Sequence, residues 1–145
     1  MITVIQRVNS AQVTVACEMV GRIDKGIMAL VAVEKNDSET QAQKLLNKIL
    51  SYRIFADSND RMNLSLADIG GGLLLVPQFT LAADTNSGNR PSFSPAASPE
   101  HGLQLFTYLS ELALQQHPVV AFGQFGADMQ VSLINNGPVT FMLKA

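Results

Sequence analysis

The amino-acid sequence predicts a mixed α/β fold of layered β-sheets with helices packed on one side. Segments with strand character outnumber those with helical character, and each of the two helical segments has a single apolar face. In addition, Ile27-Met28-Ala29-Leu30-Val31-Ala32-Val33 is apolar almost without interruption, the pattern of a strand buried on both faces. No linker or internal repeat divides the chain, so residues 1–145 read as one domain. A chain of this length buries roughly two-thirds of its unfolded surface.

The elements follow in order. Residues 2–8 and 11–16 alternate with β-branched side chains, and Asn9-Ser10 between them is a hairpin signal. The third strand is the apolar run at 27–33. Ser38 then starts a helix, with Gln41 as its capping-box partner. Ala42, Leu45, Leu46, Ile49 and Leu50 make one apolar stripe at helical spacing. Gly70-Gly71-Gly72 is followed by neither a lysine nor a helix start, so it reads as the entry to a buried strand, Leu73 to Val76, rather than a phosphate cradle. Residues 84–99 are rich in Asn, Ser, Gly and Pro and form one long loop, a length often associated with function. Ser98-Pro99-Glu100 begins a second helix, which runs to about Gln116 before His117-Pro118 stops it. Short strands at 119–124, 129–134 and 139–143 close the chain.

Composition excludes several function classes. Ten basic against twelve acidic residues give a formal charge of −2, with no basic tail to coat nucleic acid. Five of the basic residues (Lys35, Lys44, Lys48, Arg53, Arg61) fall between 35 and 61, where a solvated helix face accounts for them as well as phosphate contact does. Cys17 is the only cysteine, which rules out an intramolecular disulfide and a thiol cluster. It reads as a small buried or edge hydrophobe. The start of the chain lacks the pattern of a signal peptide, and no apolar run reaches the ~20 residues of a membrane span. The expectation is a soluble, cytoplasmic protein.

Conventional catalysis is hard to assemble from these residues. His101 and His117 lie at opposite ends of the second helix, about 24 Å apart along it, and read as surface helix-end residues. Neither a His-x-x-x-His pair nor a Gly-x-Ser-x-Gly elbow is present. Thr80 and Thr140 are hydroxyls without an evident base nearby, whereas a threonine nucleophile needs one. The segment Asn135-Asn136-Gly137-Pro138-Val139-Thr140 has two local readings. It is a hairpin with Asn136-Gly137 at the positive-φ positions, or a Gly-Pro unit whose cis peptide, cheap before proline, aims two carbonyls at an ammonium group.

That segment and Gln78-Phe79-Thr80-Leu81 resemble the two signature motifs of the D-aminoacyl-tRNA deacylase family. The resemblance extends over essentially the whole chain. It includes Ile5-Gln6-Arg7-Val8, Val33-Glu34-Lys35, Tyr52-Arg53-Ile54-Phe55, Met62-Asn63-Leu64, Arg90-Pro91-Ser92-Phe93-Ser94 and Ala127-Asp128-Met129-Gln130-Val131-Ser132. It implies a homodimer that hydrolyses D-aminoacyl-tRNA without a metal or organic cofactor. Its partners would be the 3′-terminal adenosine and the D-amino acid it carries, and no membrane is involved. The family's Gly137-Pro138 would be cis and reach into the partner subunit's pocket, excluding L-residues sterically while glycyl-tRNA is cleaved.

On this resemblance Thr80 and Phe79 are the candidate catalytic residues. Gly137, Pro138, Gln78, Phe79, Arg7 and Met129 are the candidate substrate-binding residues. Phe79 would stack on the terminal adenine and Gln78 and Thr80 would line the ester pocket. Arg7 would orient the Gly-Pro unit, and Met129 would pack beneath it. The ester is already activated, so the neighbouring 2′-hydroxyl can help to position water while main-chain N–H groups hold the oxyanion. Pro77 stands where the family usually has serine, Gly126 replaces a bulkier residue, and Pro95-Ala96-Ala97 departs from a usually basic loop. Two other readings are an L-tolerant proofreading relative with a trans Gly-Pro, and a non-catalytic dimeric ligand-binding module.

Overall fold

Alternating β-branched residues carry the first strand straight through the point where a hairpin is expected. In the computed structural model, which describes residues 1–145, the chain order is β1 (Ile2–Val15), β2 (Glu18–Ile23), β3 (Gly26–Ala32), α1 (Glu39–Ser51), β4 (Phe55–Ala56), β5 (Met62–Leu64), α2 (Leu66–Ile69), β6 (Gly72–Pro77), a 3₁₀ turn (Phe79–Ala82), α3 (Pro99–Gln116), β7 (Val120–Phe122) and β8 (Gln130–Lys144). Asn9-Ser10 does not reverse the chain. Pairing of β1 with β8 passes from Val8–Asn135 to Ser10–Ile134, so Asn9 is the extra residue of a bulge, which bends a strand without ending it. The reversal comes at Ala16-Cys17, with φ of 48° and 67°, the two positive-φ positions of a tight hairpin turn. Neither residue type signals a turn, which is why spacing alone puts the hairpin too early. Cys17 is accordingly an exposed turn residue, not a strand hydrophobe.

β1 is the hub of the sheet. One of its edges pairs antiparallel with β8 along nearly its full length. The other pairs with β3 over Ile2–Val8 and with β2 over Ala11–Val15. β3 continues into β6 and β6 into β7, both in parallel, as crossovers through helices require. The sheet then curls until β2 meets β7 and nearly closes. A Cβ on Gly21 would lie 2.3 Å from the Phe122 carbonyl oxygen, so that approach needs glycine. β2 escapes sequence reading because Glu18-Met19-Val20-Gly21-Arg22-Ile23 has little alternation and buries only Gly21 and Ile23.

Both faces of the central strands are buried, as the apolar run at 27–33 predicts. Ile27, Ala29, Val31, Leu73 and Leu75 face α1 and α3, where they meet Leu45, Leu46, Ile49, Leu105 and Leu109. Met28, Leu74 and Val76 face inward with Val8, Ala11, Val13 and Ile23. Each such side chain contributes about 1.5–3 kcal/mol through burial. Both helices start where their caps predict. Gln41 Oε1 accepts from the Ser38 N–H at 2.9 Å, and Ser98 Oγ accepts from the His101 N–H at 3.2 Å. His117 corrects the surface reading: it is 5 % exposed, with its Nε2 2.6 Å from the Gly71 carbonyl oxygen. The C-terminal strands at 129–134 and 139–143 are one strand, β8, and the hairpin reading of Asn136-Gly137 is corrected with them.

Thr3 is fully buried and its hydroxyl has no hydrogen-bond partner. Thr3→Val replaces that hydroxyl by a methyl of the same shape. The expected outcome is a gain of about 1 kcal/mol, read as a higher urea midpoint at unchanged m-value.

Candidate functional site

Pro77 ends β6, because it has no N–H to continue a ladder. Gln78 keeps one tie, its N–H donating to the Val31 carbonyl oxygen at 2.7 Å. The chain then turns into the 3₁₀ segment, so Gln78-Phe79-Thr80 is a turn rather than the strand its position suggests. The turn leaves Phe79 57 % exposed and brings the Gln78 side-chain amide to donate to the Thr80 hydroxyl. Thr80 therefore keeps its own proton free to donate.

Beside this turn is a cavity of about 490 Å³, within the usual size of a small-molecule site. Val31, Val33, Val76, Pro77, Gln78 and Phe79 form one wall. The opposite wall comes from the start of α3 (Ser98, Pro99, Gly102, Phe106) and from the approach to β8 (Phe125 to Met129). Asp128 is the only charged residue lining it, and no basic side chain does. Apolar walls with a few acceptors and no cation suit a flat, uncharged aromatic group. At the rim the Phe79 ring meets Phe93, centroids 5.1 Å apart and planes at 50°. Met129 lines the cavity, and its sulfur accepts from the Gln124 N–H at 3.3 Å.

A second constellation lies on β1 and β8. Pairing jumps from Gln6–Thr140 to Val8–Asn135, so one residue of β1, Arg7, faces four residues of β8. The guanidinium of Arg7 donates from Nε to the Asn136 carbonyl oxygen at 2.9 Å and from Nη1 to the Ile54 carbonyl oxygen at 2.8 Å. The peptide between Gly137 and Pro138 is cis. Gly137 has φ of 130°, where a side chain is strained, and an added Cβ would lie 2.9 Å from Val139 Cγ2 and 3.1 Å from Arg7 Nη2. Gly137 and Pro138 are exposed and do not line the chain's own cavity. Gln78, Phe79 and Met129 thus share one cavity with Thr80 beside it, while Arg7, Gly137 and Pro138 stand apart.

Sequence reasoning assigned no role to Asp128, Phe93 or Phe125. Only their place inside larger motifs could have marked them, because residues joined across a fold share no spacing. The two histidines stay outside the site. His101 Nε2 meets the Asp37 carbonyl oxygen at 2.9 Å, and His117 meets Gly71. No three metal-ligating side chains converge anywhere in the chain. Two carboxyls are held below their ordinary range, and neither lines the cavity. Asp57 accepts from the Asn63 amide and from the N–H groups of Arg61 and Asn59, and Asp68 accepts from the Ser65 hydroxyl and N–H.

Residues 4–144 match the family model described as D-Tyr-tRNA(Tyr) deacylase. Curated proteins named D-aminoacyl-tRNA deacylase are close in sequence. That of Pseudomonas entomophila strain L48 is 64 % identical over 140 residues, and that of Pseudomonas putida strain F1 is 63 % identical over 140. The Stutzerimonas stutzeri strain A1501 protein is 61 % identical over 141 residues; each alignment covers 97 % of both chains. Among solved structures, one described as a c-Myc DNA unwinding element binding protein superposes with a TM-score of 0.96 at 33 % identity, covering 100 % of this chain and 99 % of its own. A probable eukaryotic D-amino acid tRNA deacylase shares the fold, with a TM-score of 0.86 at 16 % identity, covering 99 % and 98 %.

Arg7→Ala removes two charge-assisted hydrogen bonds and leaves the Asn136 and Ile54 carbonyls without them. A loss of about 1.5–3 kcal/mol in unfolding free energy is expected, measured by chemical denaturation. A loss below 0.5 kcal/mol would show that water replaces the guanidinium at no cost.

Proposed function

Since the chain belongs to the D-Tyr-tRNA(Tyr) deacylase family, we propose that it proofreads chirality with a site completed by a second copy of itself. As a D-aminoacyl-tRNA deacylase it is a hydrolase acting on aminoacyl-tRNA. The observation that carries the proposal is the separation of the two motifs. Gln78, Phe79 and Met129 line a cavity that Gly137 and Pro138 of the same chain do not enter, and those two residues are exposed on a rigidly held bulge. A homodimer that exchanges the bulges brings the motifs together. The exposed Ile134 and Met142 on β8, 60 % and 74 % accessible, supply apolar surface for that contact.

In the assembled site the terminal adenosine enters the cavity and stacks on Phe79, an interaction worth about 1–3 kcal/mol. The ester lies beside Gln78 and Thr80. Main-chain carbonyls of the Gly-Pro unit accept from the substrate ammonium, and the cramped space beyond admits the hydrogen of a D-residue but no L side chain. Water attacks the ester carbonyl, main-chain N–H groups stabilise the oxyanion, and the C–O bond to the ribose breaks. The ribose oxygen takes up the proton given up by the attacking water as the D-amino acid and the tRNA leave. Neither histidine lines the cavity, so neither stands where a base for this ester would have to be. The substrate's 2′-hydroxyl takes over the positioning of water. Glycine has no side chain to exclude, so glycyl-tRNA mischarged on tRNA(Ala) is also a substrate. A cytoplasmic location follows from that of its charged tRNA substrates.

The deciding experiment compares D-tyrosyl-, L-tyrosyl- and glycyl-tRNA with the purified, metal-free protein. Rapid loss of the D- and glycyl esters with the L-ester spared is expected. Inert glycyl-tRNA would remove the steric filter, loss of both tyrosyl esters would point to a pocket relaxed at Pro77, and loss of neither would leave a binding module. A substrate ending in 2′-deoxyadenosine should react at least about 10²-fold more slowly; an unchanged rate would mean a protein nucleophile.

A further inference from the structure

We propose that Phe93 is a second stacking platform, taking the base that precedes the terminal adenosine in the single-stranded 3′ end of the substrate. This rests on the deacylase reading above. Phe79 and Phe93 are both large apolar side chains left in water, 57 % and 42 % exposed, although their rings are in contact. With the planes at 50°, one base cannot be sandwiched between them. Each ring instead offers its free face to a separate base. Phe79 lines the cavity and Phe93 does not, so Phe93 sits one step outward along the path of a chain whose last nucleoside is inside.

The rim is built to hold that ring. Asp84 and Ser92 bond each other's backbone at 2.8 and 3.0 Å, the Ala96 N–H donates to the Phe93 carbonyl oxygen at 3.1 Å, and the Lys35 N–H donates to the Pro95 carbonyl oxygen at 3.1 Å. Phe93 is therefore on a loop closed on itself through Asp84 and Ser92 and tied through Pro95 to the segment that follows β3. The occupant is set by chemistry. With no basic side chain lining the cavity, stacking on Phe79 is what holds the nucleoside inside it, and successive unpaired bases stack on successive aromatics.

The test compares three D-tyrosyl esters: of adenosine, of the dinucleotide cytidylyl-adenosine and of full-length tRNA. Wild type, Phe93→Leu and Phe93→Tyr are used after their folding is verified by circular dichroism. In Phe93→Leu, KM for the dinucleotide and tRNA esters should rise five-fold or more with kcat nearly unchanged, while the adenosine ester is unaffected. Phe93→Tyr should restore the wild-type values. An equal rise on all three esters would make Phe93 only a brace for Phe79, and no rise on any would leave it without a role; either overturns the proposal. If Phe93→Leu does not fold, the wild-type KM ratio of adenosine to dinucleotide ester decides, a ratio near one overturning it. Failure of the wild type to cleave any D-ester would instead overturn the deacylase reading itself.

Discussion

The antiparallel pairing of β1 with β8 is the constraint on which the rest of the structure depends. It joins residues more than a hundred positions apart, Ile2 with Lys144 at one end and Thr14 with Gln130 at the other. Because β1 also pairs with β3 and β2 on its other edge, it sets the curl of the whole sheet. The cavity depends on that curl, since its walls come from β3, β6, the start of α3 and the approach to β8. The same pairing is interrupted at one place. Opposite Arg7 four residues of β8 leave the ladder, and the guanidinium holds them by the Asn136 carbonyl. A bulge in a strand held on both sides is stiffer than a loop of the same length, because the flanking ladder fixes its ends. Such stiffness would suit the proposed enantiomer filter, whose groups have to hold their geometry to within about 0.5 Å.

The cavity has one carboxylate and no cation on its walls. A charged site would bind any phosphate nearby, whereas apolar walls with Phe79 and Phe93 at the edge favour a nucleoside base and leave its phosphate outside. This accords with a net charge of −2 in a protein whose substrate is RNA. Recognition confined to the single-stranded 3′ end would need little long-range attraction. The scarcity of titratable groups at the site has the same origin. An ester already activated for attack asks for orientation and oxyanion stabilisation.

Pro77 shows how one substitution is absorbed. It stands where β6 stops, opposite Val31, and there the missing N–H costs nothing because the next ladder bond is made by Gln78 instead. The ring also lines the cavity, where a hydroxyl at that position would have offered a hydrogen bond.

Local pattern by itself determined the two long helices, their caps and the double-sided burial of the central strands, though not the single turn of α2. Those features are set by contacts within a few residues or by the requirement that an apolar run be covered. The stripe Ala42 to Leu50 and the run 27–33 carry their own instructions. The motifs also marked where the family's site residues would lie, in Gln78-Phe79-Thr80 and in Gly137-Pro138. Tertiary structure alone decided the rest. Asn9-Ser10 has the composition of a turn and forms a bulge, and Ala16-Cys17 lacks it and forms the turn, because pairing with β8 outweighs local preference by the sum of many ladder bonds. Likewise Asn136-Gly137 does not turn back. Which residues share the cavity, that Arg7 reaches Asn136 and Ile54, and that Phe93 stands beside Phe79 depend on contacts between distant segments, and such contacts leave no spacing in the chain to be read.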